Sequence, residues 1–114
     1  MAISEAFSGS ASIGTTEYSL TNNSTTLTAQ TDDGVYQIFL DLSAMAAGDE
    51  YQIRVLEKCR SGDTQRQVYI AYVSNTQGEL WVSPSLILLH GWEVTLKKIA
   101  GTDRTLNWSI RKVA

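Results

Sequence analysis

Along most of this chain apolar and polar side chains alternate with a period of two. Tyr51, Ile53 and Val55 alternate with Gln52 and Arg54; Trp92, Val94 and Leu96 with Glu93, Thr95 and Lys97; Leu106, Trp108 and Ile110 with Asn107, Ser109 and Arg111. In an extended chain successive side chains point to opposite sides, so each run predicts a strand with one buried face. Turn formers separate the runs. Asp32-Asp33-Gly34 precedes a strand over 35–42, and Ser61-Gly62-Asp63 joins strands over 51–60 and 65–74 into a hairpin. Residues 75–78 turn into a short strand over 80–82, ended by Pro84, the only proline, which cannot donate to a ladder and belongs at an edge or in a loop. Residues 85–90 then cross over to a strand at 91–100, and Gly101-Thr102-Asp103 makes a tight turn into the last strand, 105–113. In the 35–42 run apolar residues occupy both phases, Val35 and Phe39 on one and Tyr36, Ile38 and Leu40 on the other. That predicts a central strand covered on both sides. Residues 42–47 (Leu-Ser-Ala-Met-Ala-Ala) are too short for a stable helix and read as one helical turn or a loop.

Residues 1–31 are different, being rich in Ser, Thr, Ala and Asn. Residues 4–13 alternate weakly and are interrupted by Gly9. Such a segment is a poor independent strand but an acceptable added one, because small side chains let backbones approach. Asn22-Asn23-Ser24 is a turn cluster, and 25–31 is a short strand or a loop. The expected layout is one domain, with an N-terminal arm or edge region over 1–31 packed on a core over 32–114. With no amphipathic run long enough for a crossover helix, the fold class is all-β: a single antiparallel β-sandwich or barrel-like domain of about eight strands with an extended N-terminal arm.

Composition narrows the function classes. At 114 residues the chain is long enough for one core without disulfide or metal staples. Its 18% charged content is low. Ser, Thr, Asn and Gln take the place of charge, as on many sandwich surfaces or on a surface covered in the working state. A net charge of −3 provides no footprint for nucleic acid. Lys97 with Lys98, and Arg111 with Lys112, are adjacent in strands and so point to opposite faces. The sole cysteine, Cys59, cannot form an internal disulfide. Residues 1–5 lack the basic and apolar regions of a signal peptide, so synthesis and folding in a cytoplasm are expected. Apolar runs such as 86–89 are far short of the ~20 residues of a membrane span, so no membrane partner is expected.

Candidate chemistry is sparse. His90, the only histidine, lies among Leu88, Leu89 and Trp92, which predicts a structural residue at a strand boundary rather than a catalytic base. Cys59 continues the phase of Tyr51, Ile53, Val55 and Glu57 and reads as a residue near a strand end. No CxxC or HxxxH spacing makes a zinc site. The acidic pairs Asp32-Asp33 and Asp49-Glu50 lack the alternate spacing of calcium loops and read as turn caps. The Gly-Asp turns lack the lysine and helix of a phosphate loop. No enzyme, metal or cofactor is expected. Trp92 and Trp108 lie on the core phase of two strands expected to pair across the 101–103 turn. Trp81, in the short strand before Pro84, is the candidate exposed aromatic. Carbohydrate-binding sandwiches use such a ring as a stacking platform for sugars.

The stretch Gly91-Trp-Glu-Val-Thr-Leu-Lys-Lys-Ile-Ala-Gly-Thr-Asp-Arg-Thr-Leu-Asn-Trp-Ser-Ile-Arg-Lys-Val113 resembles small virion-associated proteins of tailed bacteriophages, usually encoded near the major capsid gene. The opening Ala6-Phe-Ser-Gly-Ser, Thr16-Glu-Tyr-Ser-Leu20 and Asp33-Gly-Val-Tyr-Gln37 are similar too, so the likeness covers most of the chain. It transfers no catalytic residue. It implies a non-enzymatic capsid decoration (cement) protein on the outer surface of the virion, or else a tail or head–tail junction component. The implied partners are the major capsid protein and further copies of the chain, with a closed trimer compatible with the three-fold positions such proteins occupy. The arm, with Ala2, Ile3, Phe7 and Ile13 as its contact residues, is expected to add to a neighbour's sheet edge.

Overall fold

The computed structural model describes residues 2–113. Among them are nine strands: β1 (Ile3–Ile13), β2 (Tyr18–Ser19), β3 (Gly34–Asp41), β4 (Glu50–Glu57), β5 (Arg66–Ser74), β6 (Trp81–Val82), β7 (Leu86–Leu88), β8 (Glu93–Ala100) and β9 (Arg104–Val113). They form two antiparallel sheets packed face to face, with no helix among the described residues. The five-stranded sheet runs β1-β9-β3, with β6 and β7 each paired to a different stretch of the far edge of β3. The four-stranded sheet runs β2-β8-β4-β5. The all-β sandwich predicted from the alternation is therefore the observed fold class.

The core forms where the alternating residues of the four long central strands meet. Tyr36, Ile38 and Leu40 of β3 and Leu106, Trp108 and Ile110 of β9 face Tyr51, Ile53 and Val55 of β4 and Val94 and Leu96 of β8, all buried. Full burial of each aliphatic side chain is worth about 1.5–3 kcal/mol. The two buried tryptophans also satisfy their indole N–H groups, as buried donors require. Trp92 Nε1 donates to the Asp32 carbonyl at 2.9 Å and Trp108 Nε1 to the Leu20 carbonyl at 2.9 Å. The Trp92 ring lies against Tyr36, with centroids 4.5 Å apart, and edge-on to Phe7 at 5.8 Å.

Several local expectations are corrected. β8 and β9 are consecutive but do not pair, because the 101–103 turn carries the chain from one sheet to the other. Its Gly101 has φ 91°, and a Cβ there would lie 2.2 Å from Asp49 Oδ1, so both conformation and space demand glycine. The expected crossover over 85–90 contains strand β7, and β4 stops at Glu57 rather than at 60. The reason for that early stop is the Glu57 carboxylate, which accepts the backbone N–H groups of Lys58, Leu89 and His90. Of the two readings open for residues 25–31, a short strand or a loop, the loop is the one formed, with Gln30 alone bridging Trp92. In 42–47, read as one helical turn or a loop, the chain does make a single turn, with Met45 N donating to the Leu42 carbonyl at 3.0 Å.

Residues 3–13 pair with β9 along their whole length, with one irregularity between Glu5 and Phe7. Gly9 allows this close approach, since a Cβ would lie 2.4 Å from Trp108 Cζ2.

Candidate functional site

Of the four arm residues expected to reach a partner, Ile13 cannot, because it is fully buried in the core. Phe7 is half-buried and turned toward Trp92; Ala2 and Ile3 are exposed. Trp81 is not the open ring expected before Pro84. It is half-buried against the core, and its ring lies 6.3 Å from that of Tyr69. Trp81 pairs with Leu40, whose side chain points inward, and so Trp81 does too.

The outward face of the five-stranded sheet is where exposed apolar side chains converge. Residues directly opposite in an antiparallel ladder share a face. Val35 is opposite both Ile87 on β7 and Val113 on β9, and Val113 is opposite Ile3 on β1. These four side chains form one apolar row across four strands, ending in Ile87 at 83% exposure and Ile3 at 68%. Two rows further along, Phe39 is opposite Val82 of β6 and Ser109 of β9. Between the rows lie Gln37, Arg111 and Glu5. A shallow groove of about 170 Å³ runs between Ile3, Val35, Phe39, Arg111 and Val113. The second phase of the 35–42 run, Val35 and Phe39, is thus apolar as the sequence shows. The expectation that it would be covered by this chain is corrected: the described residues place no layer over it.

The polar groups on this face are largely engaged with one another. The Arg111 guanidinium carbon sits 3.8 Å from the Phe39 ring centroid, a cation–π contact. Arg111 Nε donates to Ser109 Oγ at 3.2 Å, and Ser109 Oγ donates to Glu5 Oε2 at 2.5 Å. Charge of both signs is present, so the face carries no single-sign field.

The chain matches no family model, no curated protein and no solved structure.

Four further carboxylates serve as latches between chain segments. Asp49 accepts from the backbone N–H of Ala46 and Thr102 and from Arg104 Nε at 2.7 Å. The Arg104 guanidinium, with the two backbone donors, holds its carboxyl down to about 2. Asp32 accepts from Tyr36 Oη at 2.8 Å and Lys112 Nζ at 3.0 Å, which lowers its pKa. Burial pushes the Glu17 carboxyl up, but its bidentate pair with Arg54 at 2.8 Å and its bond from Thr95 outweigh that and bring it below the usual range. Glu93 goes the other way. Burial raises it despite donors from Thr21, Ser19 and Asn22. All four carboxylates tie turns or edge segments to the sandwich.

His90 is half-buried and gives its backbone N–H to Glu57, while Cys59 is exposed beyond the end of β4. No three His, Cys, Asp or Glu side chains among the described residues are grouped as a metal site. Sequence reasoning identified Ile3 and missed Val35, Val113, Ile87, Val82 and Phe39 as one surface. The available signal was the two-phase apolar pattern of residues 35–39.

Proposed function

We propose that this protein is a non-enzymatic structural component of a tailed-bacteriophage virion, a decoration protein that binds the major capsid protein on the outer surface of the lattice. One observation carries the reading into the molecule: the apolar row Ile87–Val35–Val113–Ile3 on an outward sheet face that nothing in the described chain covers. Apolar side chains that align across four strands, exposed at Ile3 and Ile87 and half-buried at Val35 and Val113, mark a contact surface, whereas scattered ones are ordinary. The rigid β-ladder beneath holds them in one plane, so binding costs little conformational entropy. The resemblance of the chain to small virion proteins supplies the partner; the sheet face supplies the surface.

The test is to mix the purified protein with undecorated capsids, sediment them, and image the particles. Stoichiometric binding at hundreds of copies is the expected result, and Ile87→Asp should reduce apparent affinity at least tenfold while leaving the thermal midpoint unchanged. Binding in only a few copies at a vertex or along the tail would move the protein to the head–tail junction or tail. No binding at all would sink the reading. A carbohydrate-binding role through Trp81 gains no support, since that ring packs on Tyr69, and the Phe39 ring is covered by Arg111.

A further inference from the structure

The four-stranded sheet ends in β5, whose outer edge pairs with no strand among the described residues. Its sequence from 68 to 73 is Val-Tyr-Ile-Ala-Tyr-Val: six consecutive apolar or aromatic residues, five of them of high strand preference, with no charge, proline or glycine. Open edges of this kind are normally shortened, charged or interrupted, because unpaired backbone groups template further strands. β2, β6 and β7 are cut to two or three residues, and β1 presents serines at 8, 10 and 12. β5 is nine residues long, carries its only charge at Arg66, and leaves Val68 and Tyr72 about half exposed.

We propose that two copies of this chain pair antiparallel through β5 about a two-fold axis at Ile70, forming one continuous eight-stranded sheet. The register follows from side-chain complementarity. Tyr69, Ala71 and Val73 are opposite the buried Val55, Ile53 and Tyr51 of β4 and point inward, which leaves Ile70 and Tyr72 outward. Only registers that keep inward residues opposite inward ones match the pleat. With the axis at Ile70, Ile70 meets Ile70, inward Tyr69 meets the small Ala71, and exposed Tyr72 covers exposed Val68. Aromatic and β-branched partners of this kind are favourable cross-strand pairs. β5 bulges at Val68, since Val55 and Leu56 are opposite Tyr69 and Gln67, so the matched register spans residues 68–72, where no charged residue lies. Shifting the axis to Tyr69 would set two inward tyrosines against each other beside Trp81. An isologous contact of this type closes at two chains. A single strand pair covers less than the ~1,200–2,000 Å² of a standard stable interface, so the dimer should dissociate on dilution. The inference is independent of the capsid reading, which uses the opposite sheet.

Sedimentation velocity over a concentration series up to the millimolar range tests it, with circular dichroism to establish that each variant is folded. The expected result is a monomer–dimer equilibrium that Ile70→Lys shifts to monomer by at least tenfold and Ile87→Asp leaves unchanged. In a Cys59→Ser background, Ile70→Cys should give a disulfide-linked dimer on mild oxidation, because residues on the axis lie within disulfide reach, and Ser74→Cys should not. A protein that stays monomeric throughout, a dimer indifferent to Ile70→Lys, or equal cross-linking at 70 and 74 would each overturn the proposal.

Discussion

Gly9 shows how one absent side chain places a core residue. Trp108 is a large ring that must lie under β1, and β1 must come close enough to pair with β9. Only a residue without Cβ permits both, since a Cβ would sit 2.4 Å from the indole. Gly9→Ala should therefore cost about 1–3 kcal/mol through overpacking, and each kcal/mol lowers the thermal midpoint by roughly 4–8 °C. Urea denaturation followed by tryptophan fluorescence measures this; a loss within error would show that the ring can move aside. Asp49 carries a pH signature. Its carboxyl is held down to about 2 by Arg104 and two backbone donors, whereas in the unfolded chain it titrates near ~3.9. The unfolded state thus takes up the proton first as pH falls. The stabilisation is complete above about pH 4 and is lost as pH drops through 2. Stability measured from pH 5 to 2 should fall less steeply in Asp49→Asn than in the parent; parallel profiles would show that Asp49 does not carry the effect.

At the scale of elements, β1 is the instructive case. A run of small residues with a weak period reads as an optional arm, and its start fits that reading: Ala2 and Ile3 are exposed. Its middle and far end are not. Phe7 packs on Trp92, and Ile13 is fully buried, its carbonyl accepting from Tyr51 Oη at 3.2 Å. Deleting residues 2–13 should therefore unfold the protein or lower its midpoint by more than ten degrees, and not merely abolish partner binding. Differential scanning calorimetry of the truncated chain decides this; a cooperative transition near that of the intact chain would return β1 to the status of an arm. β8 and β9 make the complementary point. Both alternate strongly, and three turn-forming residues join them, yet they lie in different sheets. The latch of Asp49 on the 101–103 turn, with the glycine that lets it approach, directs the chain across the sandwich instead of back along the same sheet.

For the whole molecule, the first and last long strands close the five-stranded sheet, with Ile3 directly opposite Val113. The two ends of the described chain are therefore neighbours. Joining them with a short Gly/Ser linker and reopening the chain in the exposed 61–62 turn should give a permuted protein with the parent's circular dichroism spectrum and cooperative unfolding. Failure to fold would mean that the β4–β5 hairpin has to form early from a continuous chain. The same closure explains the layout of surfaces: one sheet presents an apolar face, and the other presents an apolar edge.

Alternation alone determined the fold class, the core phases of β3, β4, β8 and β9, and the burial of Trp92 and Trp108, because a period of two leaves a strand only one way to hide its apolar side. It also showed that residues 35–39 are apolar on both phases, but not that one phase stays open to solvent, since coverage depends on what packs above a strand. Sheet membership, the burial of Ile13, the inward turn of Trp81, and the alignment of Ile3, Val35, Ile87 and Val113 were decided only in three dimensions. Each depends on pairing between residues far apart in the chain, and local periodicity carries no record of which strand lies beside which.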